Sequence, residues 1–257
     1  MSVAVAYKWA ANPQDASVAS NGTVDWSRAK SSVSDYDAVA IALGRLVADA
    51  LGTELVGLTV GGKDAASAMA KKTALSRGLD RTVIVADESL AGAGTTETGL
   101  ALAAAVKSLG DVDLVVTGDS SIDVGAQLVP AVLAGALGWP ALTSVTAVSG
   151  AAGSLSVERA LDGGSQVLAV SGPAVVSVTS DAVTAKVPSM KDILAAGKKP
   201  SEELALADVD VPAVTAVEVV STSKPELAAR KGQVIDGSDA AAAAAELVAA
   251  LRAANVL

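Results

Sequence analysis

Val157-Glu158-Arg159-Ala160-Leu161-Asp162-Gly163-Gly164-Ser165-Gln166, continuing as Val167-Leu168-Ala169-Val170-Ser171-Gly172-Pro173-Ala174-Val175-Val176-Ser177, holds the densest set of local structure signals in the chain. Two runs of alternating strand character, residues 155–161 and 166–170, flank Asp162-Gly163-Gly164. The glycines supply the positive φ that a tight hairpin turn needs. A hairpin of this kind is plain scaffold in most proteins that carry one. The selective content lies around it: a cation, Arg159, three before the Asp; an amide, Gln166, two after the second Gly; and Pro173, seven beyond that, opening an apolar strand at Val175-Val176-Ser177.

Upstream of this hairpin, apolar runs alternate with helical periods. A strand over 3–8 leads through a polar loop to a helix over 35–51, with Ser34 as candidate N-cap, Val39, Leu43, Leu46, Val47 and Leu51 on one face, and Gly52 at the exit. A strand over 54–60 ends in Gly61-Gly62 and feeds a helix over 64–77 closed by Gly78. A strand over 82–85, a long loop, a helix over 95–109, a strand over 113–117 and a helix over 125–137 complete the series. Buried apolar strands joined by helices predict an α/β fold, a mainly parallel sheet flanked by helices. Residues 143–178 are strand-rich and add further sheet strands to the hairpin.

Past Pro188 the character changes. A short helix over 190–196 stops at Gly197-Lys198-Lys199-Pro200, and 201–220 reads as irregular or extended, with no core-facing period. Ser238-Asp239 then precedes an Ala-rich helix over 240–254 that carries Leu247, Val248 and Leu251. A tail of this composition buries little by itself and needs another surface. The expected organisation is therefore one α/β domain over 1–200 and a C-terminal arm over 201–257.

With 257 residues, 51% apolar and 18% charged, the chain can fill a large core, and it has no apolar run approaching a membrane-spanning length. Aromatics make up 2% and Phe is absent, so the core must be Ala, Val and Leu at close packing. There is no Cys and no His. That removes thiolate nucleophiles, Ser–His triads, Cys/His zinc sites and imidazole proton shuttles, leaving carboxylates, lysines, hydroxyls or a bound cofactor to do any chemistry. An electron carrier fits this inventory, because flavin electron transfer asks the protein for position and electrostatics. A net charge of −9 argues against a nucleic-acid partner. No charged n-region or apolar h-region follows Met1, so a cytoplasmic location is expected.

In an open α/β sheet, ligands sit beyond the C-terminal ends of the strands, where glycine turns and helix N-termini present N–H groups. Those ends fall here at 6–8, 59–62 and 117–127. The phosphate-loop pattern G-x-x-x-x-G-K-[ST] is absent, and Gly92-x-Gly94 lacks both the following spacing and a preceding strand.

The hairpin, its flanking residues and Pro173 together resemble the signature of the beta subunit of electron-transfer flavoproteins. The likeness extends to Val3-Ala4-Val5-Ala6-Tyr7-Lys8, similar to the family's first strand and its closing lysine, and to Val33-Ser34-Asp35-Tyr36-Asp37, standing where the family has Ile-Asn-Pro-Tyr/Phe-Asp/Cys. It also takes in Leu75-Ser76-Arg77-Gly78-Leu79-Asp80-Arg81 and Pro188-Ser189-Met190-Lys191-Asp192-Ile193. The resemblance implies an adenine-nucleotide-binding, Rossmann-like domain that acts as an electron carrier and not as an enzyme. Its FAD would be held mainly by an alpha subunit onto which the C-terminal arm wraps. Electrons would come from acyl-CoA or similar dehydrogenases and leave to a quinone-reductase-type acceptor, with no nucleic acid and no direct membrane insertion involved.

The resemblance further implies an AMP at the strand ends, contacted by Ala6 and Lys8, by Ser34 in place of the family's Asn, by Thr59 and Val60 after the second strand, and by Ser121, Asp123, Gly125, Ala126 and Gln127 in the phosphate loop. That loop departs from the family wording Ala-x-Asp-Gly-Asp-Thr-Gly/Ala-Gln-Val-Gly-Pro, reading Ser121-Ile122-Asp123-Val124-Gly125-Ala126-Gln127-Leu128-Val129-Pro130. It is one residue shorter and lacks the second Asp and the Thr, which implies weaker AMP binding. Val183-Thr184-Ala185-Lys186 replaces the family's Asn-Glu-Pro-Arg docking loop, keeping a cation without Arg's planar fork. Trp9 follows the first-strand lysine and is read as a core or interface residue. Two alternatives remain open: a bifurcating-type beta subunit with its own FAD, and a free-standing adenine-nucleotide-binding module.

Overall fold

The alternation of side chains along the first strand, β1 (Ser2–Ala6), sets up the architecture: Val3 and Val5 enter one apolar core, Ala4 and Ala6 a second on the opposite face. In this computed structural model, residues 2–257 are described except 216, 218, 222, 224 and 228. After β1 come β2 (Trp9–Ala11), β3 (Ser17–Val18), β4 (Val24–Asp25) and β5 (Ser31–Val33), then α1 (Asp35–Leu51), β6 (Leu55–Gly61), α2 (Ala68–Leu75), β7 (Arg81–Ala86), α3 (Thr95–Leu109) and β8 (Val112–Gly118). The chain continues with α4 (Val129–Leu137), β9 (Ala141–Ala151), β10 (Ser154–Leu161), β11 (Gly164–Val170), β12 (Ala174–Val178), α5 (Met190–Ala196), β13 (Ser201–Leu204) and α6 (Ala240–Ala253).

Nine strands form one sheet in the order β11-β10-β9-β12-β8-β1-β6-β7-β13. From β9 to β13 every neighbouring pair is parallel, and only β10 runs against its neighbours β9 and β11. The expected α/β fold, a mainly parallel sheet flanked by helices, is present. The expected hairpin is β10–β11, with Arg159 directly opposite Gln166.

Small side chains let the layers approach closely, as the composition requires. On one face α1 lays Val39, Leu43 and Val47 over Val3, Val5, Leu114 and Val116. On the other, α3 and α4 bring Leu102, Val106 and Leu133 onto Ala4, Val56, Leu58 and Val115. Gly44 of α1 lies so near β1 that a Cβ there would stand 2.6 Å from Val5 Cγ2.

Four local expectations need correcting. Leu46 is 58% exposed, because the buried stripe of α1 runs at four-residue steps through Val39, Leu43 and Val47 and leaves Leu46 off it. The helix expected over 64–77 is broken: a 3-10 turn over Lys63–Ala66 precedes α2, because Ser67 adopts extended backbone and caps α2 by accepting from the Ala70 N–H. The helix expected from 125 starts only at Val129, since Gly125 (φ 65°) and Gln127 (φ 57°) are left-handed and interrupt any earlier turn.

The fourth correction concerns 201–220, expected to contribute no strand. Ser201–Leu204 forms β13, an edge strand paired in parallel with β7 from Ser201↔Thr82 to Leu204↔Val85. The exposed edge of β7 supplies the ladder, and side chains anchor it: Lys71 pairs with Glu203, Arg81 with Glu202, and Lys199 Nζ donates to the carbonyls of Leu75 and Leu79 at the end of α2. The first compact unit, which includes β13, runs to residue 221. Residues 216 and 218 of the 201–220 stretch lie outside the described residues.

The second unit, 222–257, contains α6, whose N-terminus is capped by Asp239 accepting from the N–H groups of Ala241 and Ala242. Leu247 and Val248 of this helix are exposed. Among the described residues no helix is long and apolar enough to cross a membrane.

Candidate functional site

Because β6, β1 and β8 are adjacent and parallel, their C-terminal ends emerge side by side. Ala6, the last residue of β1, pairs with Leu58 on one side and Thr117 on the other. The candidate residues that follow these three strands are thereby gathered at one edge of the sheet, the edge at which open α/β folds place ligands.

Lys8 organises this edge. Its N–H donates to Asp37 Oδ2 at 2.7 Å, its carbonyl accepts from the Ser34 N–H at 3.1 Å, and its Nζ forms an ion pair of 2.6 Å with Asp123 Oδ2. Asp123 also accepts from the Val124 N–H. Desolvation would raise the Asp123 carboxyl, but the hydrogen bonds from Lys8 and Ser121, the Lys8 charge and the Val124 N–H together hold it below its ordinary value.

Two hydroxyls at the same edge have no hydrogen-bond partner although both are buried: Ser34 Oγ, at the N-terminus of α1, and Thr59 Oγ1, near the end of β6. Ser34 occupies the N-cap position as expected, yet its side chain makes no capping bond. A buried polar group left unpaired costs stability, so two of them beside a ligand edge call for a polar partner. Hydroxyl donors and acceptors of this kind suit the sugar and base edges of a nucleotide.

The loop after β8 is less well disposed. Ser121 Oγ accepts from the Gly125 N–H at 3.3 Å, and the Val124 N–H is turned to Asp123 at 2.8 Å, so both donors face inward. Gly125, Ala126 and Gln127 are exposed. Pro130 in the first turn of α4 has no N–H to offer. The structure thus brings together Ala6, Lys8, Ser34 and Asp123, places Thr59 and Val60 on the neighbouring strand, and leaves 125–127 as an outer rim.

Asp37, quoted above only for its place in the family likeness, and Gly118 also lie at this edge, and neither was expected among the site residues. Asp37 accepts from the N–H of Lys8 and from the backbone of Gly118, so it bridges the exits of β1 and β8 from the first turn of α1. Burial pushes its carboxyl up to about 7, against the two N–H groups and the Lys8 charge, which pull it down. The available signal was an acidic residue three positions into a helix that follows a strand end, a pattern that reads equally as ordinary helix capping. Tyr7, also buried, shares a 2.9 Å hydrogen bond with Thr82, and burial raises its hydroxyl to about 12.

Elsewhere, Arg159 on the hairpin has a buried Nε without a partner. Lys186 is exposed, while Val183 and Ala185 of the same loop rest on the first core. Trp9 packs against that core too, in line with the structural reading of it. An open, largely apolar cleft of about 440 Å³, lined by Trp139, Pro140, Leu168 and Pro173 among others, lies by the starts of β9 and β12, at the opposite sheet edge from the strand-end site. Among the described residues, no group of three or more His, Cys, Asp or Glu is placed to hold a metal ion.

A family model described as the electron transfer flavoprotein domain matches residues 22–209. The match runs from the β3–β4 turn past β13, taking in the hairpin, Ser34, Asp37, Thr59 and the loop after β8. Ala6 and Lys8 precede it, and α6 follows it.

Proposed function

Because the chain belongs to the electron transfer flavoprotein domain family, a flavin-associated family of electron carriers, we propose that it is the beta subunit of a heterodimeric electron-transfer flavoprotein and performs no bond chemistry itself. The observation that carries the subunit assignment is the β10–β11 hairpin, in which Arg159 stands opposite Gln166 and Pro173 precedes β12, the pattern of the beta-subunit signature. FAD, held mainly by the alpha subunit, supplies the reversible uptake and release of electrons.

This chain's residues bind and position. Ser34 and Thr59 offer their unpaired hydroxyls to an AMP at the strand ends, and the exposed rim 125–127 offers the remaining backbone donors. With the Val124 and Gly125 N–H groups bonded within the loop, that AMP is weakly held. Lys186 is the docking cation for a partner dehydrogenase. Exposed apolar residues on the same segment, Val187 (90%), Met190 (71%) and Leu194 (66%), support a docking face there. Residues 222–257 form the arm that reaches the alpha subunit, and the complex works in the cytoplasm, passing electrons to a quinone-reductase-type acceptor.

Co-expression with the product of an adjacent gene tests this reading. The expected result is a yellow heterodimer that releases one FAD and clearly less than one AMP on denaturation, while the isolated chain is colourless. A stable monomer that binds FAD stoichiometrically refutes the subunit assignment. Two FAD per heterodimer would move the protein to the bifurcating type, and one full AMP would show that the backbone donors suffice.

A further inference from the structure

The two edges of the nine-stranded sheet are finished differently. β13 is only four residues long, and Arg81 and Lys71 hold its Glu202 and Glu203 in ion pairs, so brevity and charge close it to further pairing. β11 has neither device. Its sequence, Gly164-Ser165-Gln166-Val167-Leu168-Ala169-Val170, carries no charge and no Pro, and it pairs with β10 without a bulge from Leu161↔Gly164 to Leu155↔Val170. Alternate N–H and C=O groups of such an edge point away from the sheet, and Val167 beside them is 63% exposed. A long, regular, uncharged edge of this kind is a template for another strand unless something covers it.

Two further features lie along this edge, on one face of the hairpin. Arg159 stands opposite Gln166, and by the alternation of β10 it shares the face of Leu155 and Val157. Its Nε is buried without a hydrogen-bond partner, and none of the ion pairs among the described residues includes its guanidinium. A guanidinium so placed lacks an anion, and a carboxylate matches it best, because the planar fork donates two parallel bonds. At the other end of β11, Leu168 and Val170 on the same face border the open apolar cleft of about 440 Å³, which Trp139, Pro140 and Pro173 help to line. Gln166 and Val170 are four residues apart, a span of roughly 13 Å in an extended strand.

We propose that the β11 edge receives an extended segment of a partner polypeptide, added as a further strand that sets a carboxylate against Arg159 and, four residues away on the same face, an apolar side chain into the cleft. The main chain of the incoming strand takes up the outward N–H and C=O groups, and the two side chains fix its register. A second copy of this chain does not fit. β11 paired with β11 brings no carboxylate to either Arg159, and each copy carries a net charge of −9. A different protein that supplies an apolar strand with one acidic residue meets both needs. The edge serves this role whichever subunit of an electron carrier the chain is.

Nuclear magnetic resonance on the full chain tests this with a synthetic strand as probe: a capped peptide with leucine at its centre, glutamate four residues away on either side, and threonine alternating with valine between. Its symmetry presents the required pair of side chains in either strand direction. At millimolar concentration the peptide should slow exchange of those β11 amides that do not bond to β10 and shift the side-chain resonance of Arg159. Glutamine in place of both glutamates should weaken binding about tenfold, the effect of one charge-assisted pair. Arg159→Gln should abolish that difference while β11 still binds both peptides; should this variant fail to fold, the two peptides compared on the wild-type chain decide. The same peptide with a fully N-methylated backbone cannot donate to the ladder and should not bind. Equal binding of the methylated peptide, no protection of β11 by the unmethylated one, or binding indifferent to the glutamates overturns the proposal. So do two results on the peptide-free chain: β11 protection that grows with protein concentration, which would make the occupant a second copy, and cross-peaks between β11 and residues 222–257, which would make it the chain's own C-terminal segment.

Discussion

Replacing Gly99 with Ala in α3 sets two well-characterised effects against each other. The change favours helix by about 1 kcal/mol in the intrinsic propensity scale. Against that, the new Cβ would stand 2.6 Å from Val132 Cγ1, 2.8 Å from Val132 Cβ and 3.2 Å from the backbone N of Leu133. Ordinary contact begins near 3.4 Å, so α3 and α4 must part by most of an ångström. A rotamer change cannot relieve this, because Val132 Cβ and the Leu133 backbone move only with α4. Overpacking of this kind costs about 1–3 kcal/mol, and the absence of any flexible neighbour puts this site at the upper end. The net expectation is a loss of about 1–2 kcal/mol. Gly135→Ala is the matched control: the same substitution in α4, with nothing within 4 Å of the added Cβ, should stabilise by about 0.5–1 kcal/mol. Urea denaturation followed by circular dichroism should place the two midpoints on opposite sides of wild type at unchanged m-value. Equal midpoints, or a stabilised Gly99→Ala, would refute the close-packed account of a core made from small residues.

The Asp37 carboxyl also shapes global stability. With its folded value at about 7 and its unfolded value at 3.8, the native state holds more protons across that window, so its contribution to stability falls as pH rises from 4 to 7 and levels off above. Melting temperatures of Asp37→Asn should therefore gain on wild type across that range, and parallel profiles would refute the assignment. Lys186→Glu should slow electron transfer from a partner dehydrogenase at low ionic strength, with the flavin spectrum unchanged and the difference fading with salt; equal rates at low salt would exclude a docking role. Truncation after Ser221 should leave the first unit folded and weaken heterodimer formation in analytical ultracentrifugation, whereas truncation after Pro200 should also lower the melting temperature, because it strips β13 from the edge of β7. Equal melting temperatures for the two truncations would show that the edge strand adds no stability.

Much of this protein is legible one segment at a time. The hairpin turn at Asp162-Gly163-Gly164, the apolar runs of β1, β6, β7 and β8, and the helices α1, α3 and α5 follow from local period and from capping residues such as Ser189, which accepts from the Asp192 N–H. A parallel sheet follows in turn from their alternation, since parallel strands need crossover helices. Only the tertiary structure decided the rest, and each case is a long-range partner overruling a weak local preference. Ser201–Leu204 has no strand period of its own and becomes β13 because β7 presents an unpaired edge more than a hundred residues earlier in the chain. Lys199 reads as part of a polar stop signal until α5 brings it to the carbonyls of Leu75 and Leu79. Asp37 reads as a helix-start carboxylate, and it becomes a buried bridge only when β1 and β8 emerge together beneath α1. Residue spacing along one segment encodes periodicity and turns; burial, and with it the charge state of a carboxyl, depends on what distant strands place around it.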